Sequence, residues 1–351
     1  MRIIFLAWRD TAHPQAGGSE VVIDQLASRL TERGHEVQLL HGGPTGKHKY
    51  RSIRIGGNYS QYLRAPFAFL RRSSGVEIVV DVENGIPYFS PLWQRKPVIA
   101  LVHHIHTEQW AMQFPGPIAA VGRWLEGRLM PRIYQQSPFV SVSTSTTDGL
   151  VRLGIDPKLV TTIEMGLDFE PLEPAPSKEP RFIVLSRLVP HKRIELALKM
   201  WNSVQPTTGG KLIIVGDGPE LHDLRSLAGP EVEFTGWVDE DRKRKELSQA
   251  WLLVHPAHHE GWGTVVMEAA AASVPAIAFD VAGVRDSIDN GVSGYLAENE
   301  DDFVAQWISL ASDADRRSQM SVAAKARAAS FTWDRAVDSF ELLLERNVQD
   351  H

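Results

Sequence analysis

Short apolar runs recur along the chain and alternate with stretches whose apolar positions fall three and four residues apart. Arg2 to Trp8 reads as a buried strand, a Gly17-Gly18 turn follows, and Val22, Leu26 and Leu30 recur at i, i+4 before Gly34 stops a helix. Further strands are expected at Glu36 to His41, Glu77 to Val82, Val98 to Val102, Phe139 to Val142 and Val160 to Glu164, with Thr146 to Leu153 as a helix between the last two. From Phe169 the pattern lapses into Phe-Glu-Pro-Leu-Glu-Pro-Ala-Pro-Ser-Lys-Glu-Pro, which reads as a stiff linker. A second series follows: strands Phe182 to Leu185, Leu212 to Val215, Val232 to Phe234, Leu252 to His255 and Ala276 to Phe279, with helices from Ile194 and Pro219. Asp302 to Leu310, Arg316 to Ala329 and the amphipathic Trp333 to Leu344 close the chain as helices. Alternating strands and helices of this kind build parallel sheets covered by helices, in two doubly wound halves.

Composition narrows the function more than the fold. With 351 residues and 43% hydrophobic content the chain can bury two cores. Lys and Arg number 37 against 43 Asp and Glu, and the net charge of −6 argues against nucleic acid as a partner. The absence of cysteine excludes disulfides, thiolate nucleophiles and Cys-ligated zinc, and fits a reducing, cytoplasmic setting. The apolar start of the chain is too short for a signal h-region, and no run approaches the roughly 18 apolar residues of a membrane span.

The segment Pro256-Ala257-His258-His259-Glu260-Gly261-Trp262-Gly263-Thr264-Val265-Val266-Met267-Glu268 carries the most chemistry. The strand Leu252 to His255 places Glu260 at a sheet's carboxyl end, where open α/β sheets bind ligands. Gly261 and Gly263 make a tight turn, and the helix from Val265 to Ala272 opens with backbone N–H groups that attract phosphate. Glu268, about a turn into that helix, would face a ribose, because a carboxylate that accepts two adjacent hydroxyls suits a diol.

The chain resembles the retaining nucleotide-sugar transferases of glycosyltransferase family 4. The motifs that carry the likeness are Leu185-Ser186-Arg187-Leu188-Val189-Pro190-His191-Lys192, Val215-Gly216-Asp217-Gly218-Pro219-Glu220, Phe234-Thr235-Gly236-Trp237-Val238, the Glu260 to Glu268 segment and Asp289 to Leu296. Gly17-Gly18-Ser19-Glu20, a histidine after the Val98 to Val102 strand, and Val142-Ser143 extend it over the first half. The resemblance implies a GT-B fold: two Rossmann-like doubly wound parallel-sheet domains facing a cleft. Residues 1–168 would form the acceptor-side domain, 169–180 the Pro-rich linker, 181–331 the nucleotide-sugar domain, and 332–351 a helix returning toward the first domain.

By the same resemblance, Arg187 and Lys192 clamp the donor diphosphate, Arg as a fork and Lys as a point charge, so that no metal is assigned. Gly17 and Gly18 approach the phosphates, Glu260 holds sugar hydroxyls with the amides of Gly261, Trp262, Gly263 and Thr264, and Glu268 holds the ribose. Gly216, Trp237, Val238 and Glu240 fall at the nucleobase, where Glu240 could accept from guanine's two-donor edge; an acidic first helix turn explains Glu240 equally well. His103 aligns with the family histidine near the reacting sugar, while His104, His106 and Glu108 offer a competing metal-ligand set without an evident fourth member. Met165-Gly166-Leu167-Asp168 departs from the family's usual Asn-Gly-Val-Asp.

The expected activity is transfer of a hexose, from GDP-mannose or alternatively UDP-glucose or a UDP-N-acetylhexosamine, to a hydroxyl of an oligosaccharide or glycolipid. Retention by front-face displacement needs no cofactor beyond that donor. Arg64, Phe67, Phe69, Arg71 and Arg72, with Arg123, Arg128 and Arg132 among Val121, Trp124, Leu125 and Leu129, suit either a sugar-binding groove beside the acceptor or peripheral contact with an anionic membrane. A nucleotide-sugar 2-epimerase and a non-catalytic sugar-binding protein are the alternatives. A dinucleotide oxidoreductase fits poorly, since Leu221 stands where the third glycine of a GxGxxG turn belongs.

Overall fold

The computed structural model describes residues 1–107, 110–111, 114–258 and 260–351. The chain divides into two compact units, Met1–Gly166 with Trp333–His351, and Leu167–Thr332.

The first unit contains strands β1 (Arg2–Arg9), β2 (Glu36–Gly42), β3 (Arg51–Gly56), β4 (Ile78–Glu83), β5 (Val98–Val102), β6 (Phe139–Ser141) and β7 (Val160–Thr162). They form one sheet in the order β3-β2-β1-β4-β5-β6-β7, and every pairing is parallel, with Ile3 opposite both Val37 and Ile78. Side chains alternate between faces as strand geometry requires. Ile4, Leu6, Val79, Ala100 and Val102 join Phe139 and Tyr134 in one core. Phe5 lies against Phe340 of the helix Trp333–Gln349, with ring centroids 6.3 Å apart. Glu341 of that helix accepts from Arg33 Nη1 and pairs with His35 Nε2, each at 2.6 Å. The end of the chain is thereby an integral layer of the first unit.

The second unit repeats the plan with β8 (Arg181–Leu185), β9 (Lys211–Val215), β10 (Val232–Gly236), β11 (Leu252–His255), β12 (Ala276–Phe279) and β13 (Gly294–Ala297), in the order β10-β9-β8-β11-β12-β13. Phe182, Val184, Leu212, Ile214, Leu252, Val254 and Ile277 pack on one face. Ile183, Leu185, Ile213, Val215, Leu253, Ala276 and Ala278 pack on the other. These runs are apolar at successive positions because both faces of a parallel sheet are covered. The Pro-rich stretch 169–180 has no helix or strand. It is laid along the second unit: the amides of Ala175 and Ser177 donate to the carbonyls of Ser248 and Gln249 at 2.9 and 3.1 Å, and Trp251 Nε1 donates to the Ser177 carbonyl at 2.8 Å.

Both sheets are wound outward from a central strand and then back to its other side. In the first unit the chain leaves from β1 and returns at β4; in the second it leaves from β8 and returns at β11. At such a switch point the following loops part toward opposite faces and leave a crevice outside the strand carboxyl ends. That crevice is where each unit's polar side chains gather.

Candidate active site

In the second unit, Lys192 closes a short turn (Pro190–Lys192) after β8. The His258 amide donates to the His191 carbonyl at 3.0 Å, tying the loop after β11 to the loop after β8. Across this tie the Lys192 ammonium donates to Glu260. His255 Nε2, from the last residue of β11, stands 3.1 Å from the same carboxylate oxygen. Burial pushes the Glu260 carboxyl up, but the Lys192 charge and His255 pull it down further, leaving it well below the ordinary carboxylate range. Glu260 is therefore an acceptor of hydrogen bonds at neutral pH, and the ionised form cannot serve as a proton donor.

Gly261 and Trp262 bend the chain before Gly263, which caps the helix Thr264–Ala271 at φ 74. Glycine is required there twice over: the left-handed conformation disfavours a side chain, and a Cβ would come 2.7 Å from Ser287 Oγ. Ser287 fastens the turn by donating to the Trp262 carbonyl, and Trp262 packs edge-on against Phe331 at 5.3 Å. The amides of Val266 and Met267 donate to the Gly263 carbonyl at 2.9 and 3.1 Å, while those of Thr264 and Val265 precede the first intrahelical acceptor.

Within this helix Glu268 is largely buried, which raises its pKa against the opposing pull of Lys243. Lys243 Nζ lies 2.9 Å from Glu268 and 2.8 Å from Glu240, and sits 5.4 Å from the centre of the Phe169 ring. Glu240 is in the first turn of the helix Glu240–Gln249, beside the exposed Trp237 and half-buried Val238. Gly216, at φ 137, accepts no side chain because a Cβ would strike the Ser186 carbonyl. Arg187 is exposed on the turn after β8.

The first unit holds the remaining expected residues. Gly17 caps the helix Gly18–Glu32, and its amide donates to Glu20 Oε2 at 2.7 Å. Arg9 Nε donates to the other Glu20 oxygen at 2.9 Å. His103, just after β5, is 5% exposed with its Nε2 lacking a partner. Burial lowers its pKa to about 4, with Glu20 opposing and His106 assisting. His103 is thus a neutral imidazole at physiological pH.

The structure accordingly brings Lys192 to Glu260 and Glu240 to Glu268, the latter through a lysine that sequence reasoning passed over. His255 was also missed, although a histidine ending an apolar parallel strand next to the motif was a usable signal. Of the set His104, His106 and Glu108, Glu108 lies outside the described residues, as do Gln109, Met112, Gln113 and His259. The His104 and His106 rings lie against each other at a tilt of 35°, with centroids 3.9 Å apart. His106 instead meets two buried acids from other elements, Glu83 and Glu126.

The arrangement offers a fixed carboxylate, a diphosphate-sized cationic point and a second carboxylate at one sheet end. A family model described as Glycosyltransferase Family 4 matches residues 16–171, and one described as Glycosyl transferases group 1 matches residues 169–327. The chain belongs to glycosyltransferase family 4. This transferase is 26% identical over 337 residues to the gpi3 subunit of phosphatidylinositol N-acetylglucosaminyltransferase from Schizosaccharomyces pombe, covering 87% of the chain and 72% of that protein. It is 32% identical over 173 residues, 45% of each chain, to a GDP-mannose-dependent alpha-(1-6)-phosphatidylinositol monomannoside mannosyltransferase of Mycobacterium tuberculosis. Among solved structures, Anabaena HepE in complex with UDP and glucose superposes with a TM-score of 0.80 at 16% identity, over 99% of this chain and 100% of that one. The fold class is the GT-B class of two Rossmann-like domains, and the enzyme is a hexosyltransferase.

Proposed function

We propose that the enzyme transfers a hexose, with retention, from a nucleotide sugar to a hydroxyl of a glycan or glycolipid, and that its donor is held by the second unit. The Lys192–Glu260 pair carries this reading. Glu260, kept ionised, accepts from donor-sugar hydroxyls, and Lys192 with Arg187 meets the charge that grows on the departing diphosphate. The first-turn amides from Trp262 to Thr264 add phosphate or sugar contacts, and Glu268 reads the ribose diol. His103 is assigned to a hydroxyl near the reacting carbon and Gly17 with Gly18 to the phosphates. With no second carboxylate assigned behind the sugar, the leaving phosphate takes the acceptor proton on the same face. The cationic pair supplies the stabilisation, so chelators should leave the chemical step intact.

GDP-mannose is the favoured donor. Glu240 keeps one oxygen on Lys243 and has a largely exposed side chain, which leaves acceptor capacity for the two-donor edge of guanine. The names of the mannosyltransferase relative and of the UDP-bound neighbour support GDP and UDP respectively. A thermal-shift panel of GDP, UDP and ADP with their sugars decides: stabilisation by UDP alone removes the Glu240 argument, and stabilisation by none removes the donor site. Inversion at the anomeric carbon, read by product NMR, would overturn the front-face step.

No helix among the described residues is long and apolar enough to cross a membrane. Leu63, Phe67 and Leu70 are nonetheless exposed on the helix Ser60–Leu70, next to Arg64 and Arg71. Ile118, Val121 and Trp124 are exposed on the helix Gly116–Trp124, with Arg123 beside them. Apolar side chains among arginines suit the headgroup boundary of anionic lipid, which supports a cytoplasmic enzyme that visits the membrane for a lipid-linked acceptor. Co-sedimentation with vesicles containing anionic lipid, absent with neutral vesicles, is the expected result.

A further inference from the structure

Three side chains at the first unit's switch point are not used by the transfer reaction. Glu83 is the last residue of β4, His106 lies in the loop after β5, and Glu126 sits in a single π turn (Leu125–Leu129) that follows the helix Gly116–Trp124. Their ligating atoms all lie within 4.8 Å of one another, and His106 Nδ1 is 3.7 Å from Glu126 Oε1. Donor atoms around an ion with bonds near 2.1 Å stand roughly 3–4 Å apart, so small rotations complete the geometry.

Glu83 and Glu126 are both fully buried. Glu126 is satisfied: its Oε1 accepts from the His106 amide, and its Oε2 from Thr107 Oγ1 and Trp110 Nε1, each at 3.2 Å. Glu83 is not. Neither of its oxygens accepts a hydrogen bond of normal geometry, and His106 Nδ1, aimed into the same space, is also without a partner. Among the described residues no lysine or arginine pairs with either acid. Two buried carboxylates side by side must share a proton or take a compensating positive charge, and the unpartnered Glu83 oxygens and His106 Nδ1 converge where that charge would sit. The bonds that hold Glu126 from behind are those expected of groups that orient a metal ligand.

We propose that Glu83, His106 and Glu126 bind one divalent transition-metal ion of the zinc or manganese class. An imidazole nitrogen with two carboxylate oxygens suits these ions and leaves positions for water. The two acids neutralise the ion's charge, so the bound site is neutral inside the unit. The ion joins the ends of β4, the loop after β5 and the π turn, and this loop begins at His103. Its role is to position His103.

The test uses the tag-free full chain, stripped with chelator and titrated with Zn²⁺ or Mn²⁺ by calorimetry, with Co²⁺ as a spectroscopic probe. One equivalent per chain is expected, with an imidazole–carboxylate cobalt spectrum. Glu83→Gln, a neutral isostere that keeps the fold, and His106→Gln should each weaken binding by about 10–100-fold. No binding of either ion at up to about 1 mM, or affinity unchanged in both variants, overturns the proposal; the first result means a proton fills the role, the second that surface histidines bound the ion. GDP and UDP binding measured in chelator reports on the donor site separately, so failure of one reading leaves the other standing.

Discussion

The two units share a sheet plan yet treat buried charge in opposite ways. At the switch point of the second, each buried acid has a cation beside it: Glu260 with Lys192, and Glu268 with Lys243, which Glu240 shares. At the switch point of the first, Asp81 is satisfied by the Tyr88 and Ser90 amides and the Tyr134 hydroxyl, while Glu83 has no such partner. Self-compensated pairs can exchange partners with an incoming polyhydroxylated anion at little net electrostatic expense: under the proposed function, the diphosphate would take over the lysine as sugar hydroxyls take over the carboxylate. An uncompensated acid has nothing to exchange and must be neutralised from outside. On the two proposals above, one fold would serve for recognition in one copy and for holding a loop in the other.

The largest blow to this contrast comes from removing residues 333–351. Trp333, Ala336, Val337, Phe340 and Leu344 are buried in the first unit, and at about 1.5–3 kcal/mol for each large side chain their loss rivals the roughly 5–15 kcal/mol that stabilises a domain. Thermal unfolding should lose the first unit's transition and keep the second's. Next in size, Lys192→Ala should lower nucleoside diphosphate release by about 10²–10³-fold. Glu260→Gln should approach that loss while changing free-nucleotide affinity little, and calorimetry beside turnover assays separates the two.

His103 gives an intermediate effect with a defined pH window. A histidine in the unfolded chain titrates near 6.5, and burial holds His103 at about 4. The unfolded chain takes up the proton first, so stability is full above pH ~6.5, declines as pH falls through the interval down to about 4, and is level below it. The difference amounts to about 3 kcal/mol. Urea midpoints across that interval should flatten in His103→Gln.

Glu268→Ala should weaken nucleotide binding about tenfold, and Lys243→Met should do so to a similar extent. The smallest change, roughly threefold or less, is expected for Glu240→Gln, and for guanine nucleotides only. Equal effects of Glu260 and Glu268 substitutions on nucleotide affinity would erase the division between sugar and ribose carboxylates.

Most of the parallel strands were legible because covered sheets write continuous apolar runs. β3 was not: Arg51-Ser-Ile-Arg-Ile-Gly is an edge strand whose exposed Arg51 and Arg54 interrupt the apolar run, and β13 is four residues long. In the site, motif residues announced themselves, but their pairings did not. Lys243 meets Glu268 and Lys192 meets Glu260 across 25 and 68 positions of sequence, a closeness that only the winding of the sheet creates. The Glu83 cluster left one readable trace. Ile-Val-Val-Asp-Val-Glu puts two acids into an otherwise apolar buried strand, and such acids require an explanation that local pattern cannot give.

The return of the last helix to the first unit also sets an order of events during synthesis. The first unit's sheet is made before the second unit but stays open along the face that Phe340 covers, until the helix Trp333–Gln349 emerges. The second unit, continuous from Leu167 to Thr332, is complete before that. The second unit therefore has the opportunity to fold first, and the first unit is completed only after it, with apolar strand surface exposed in the interval.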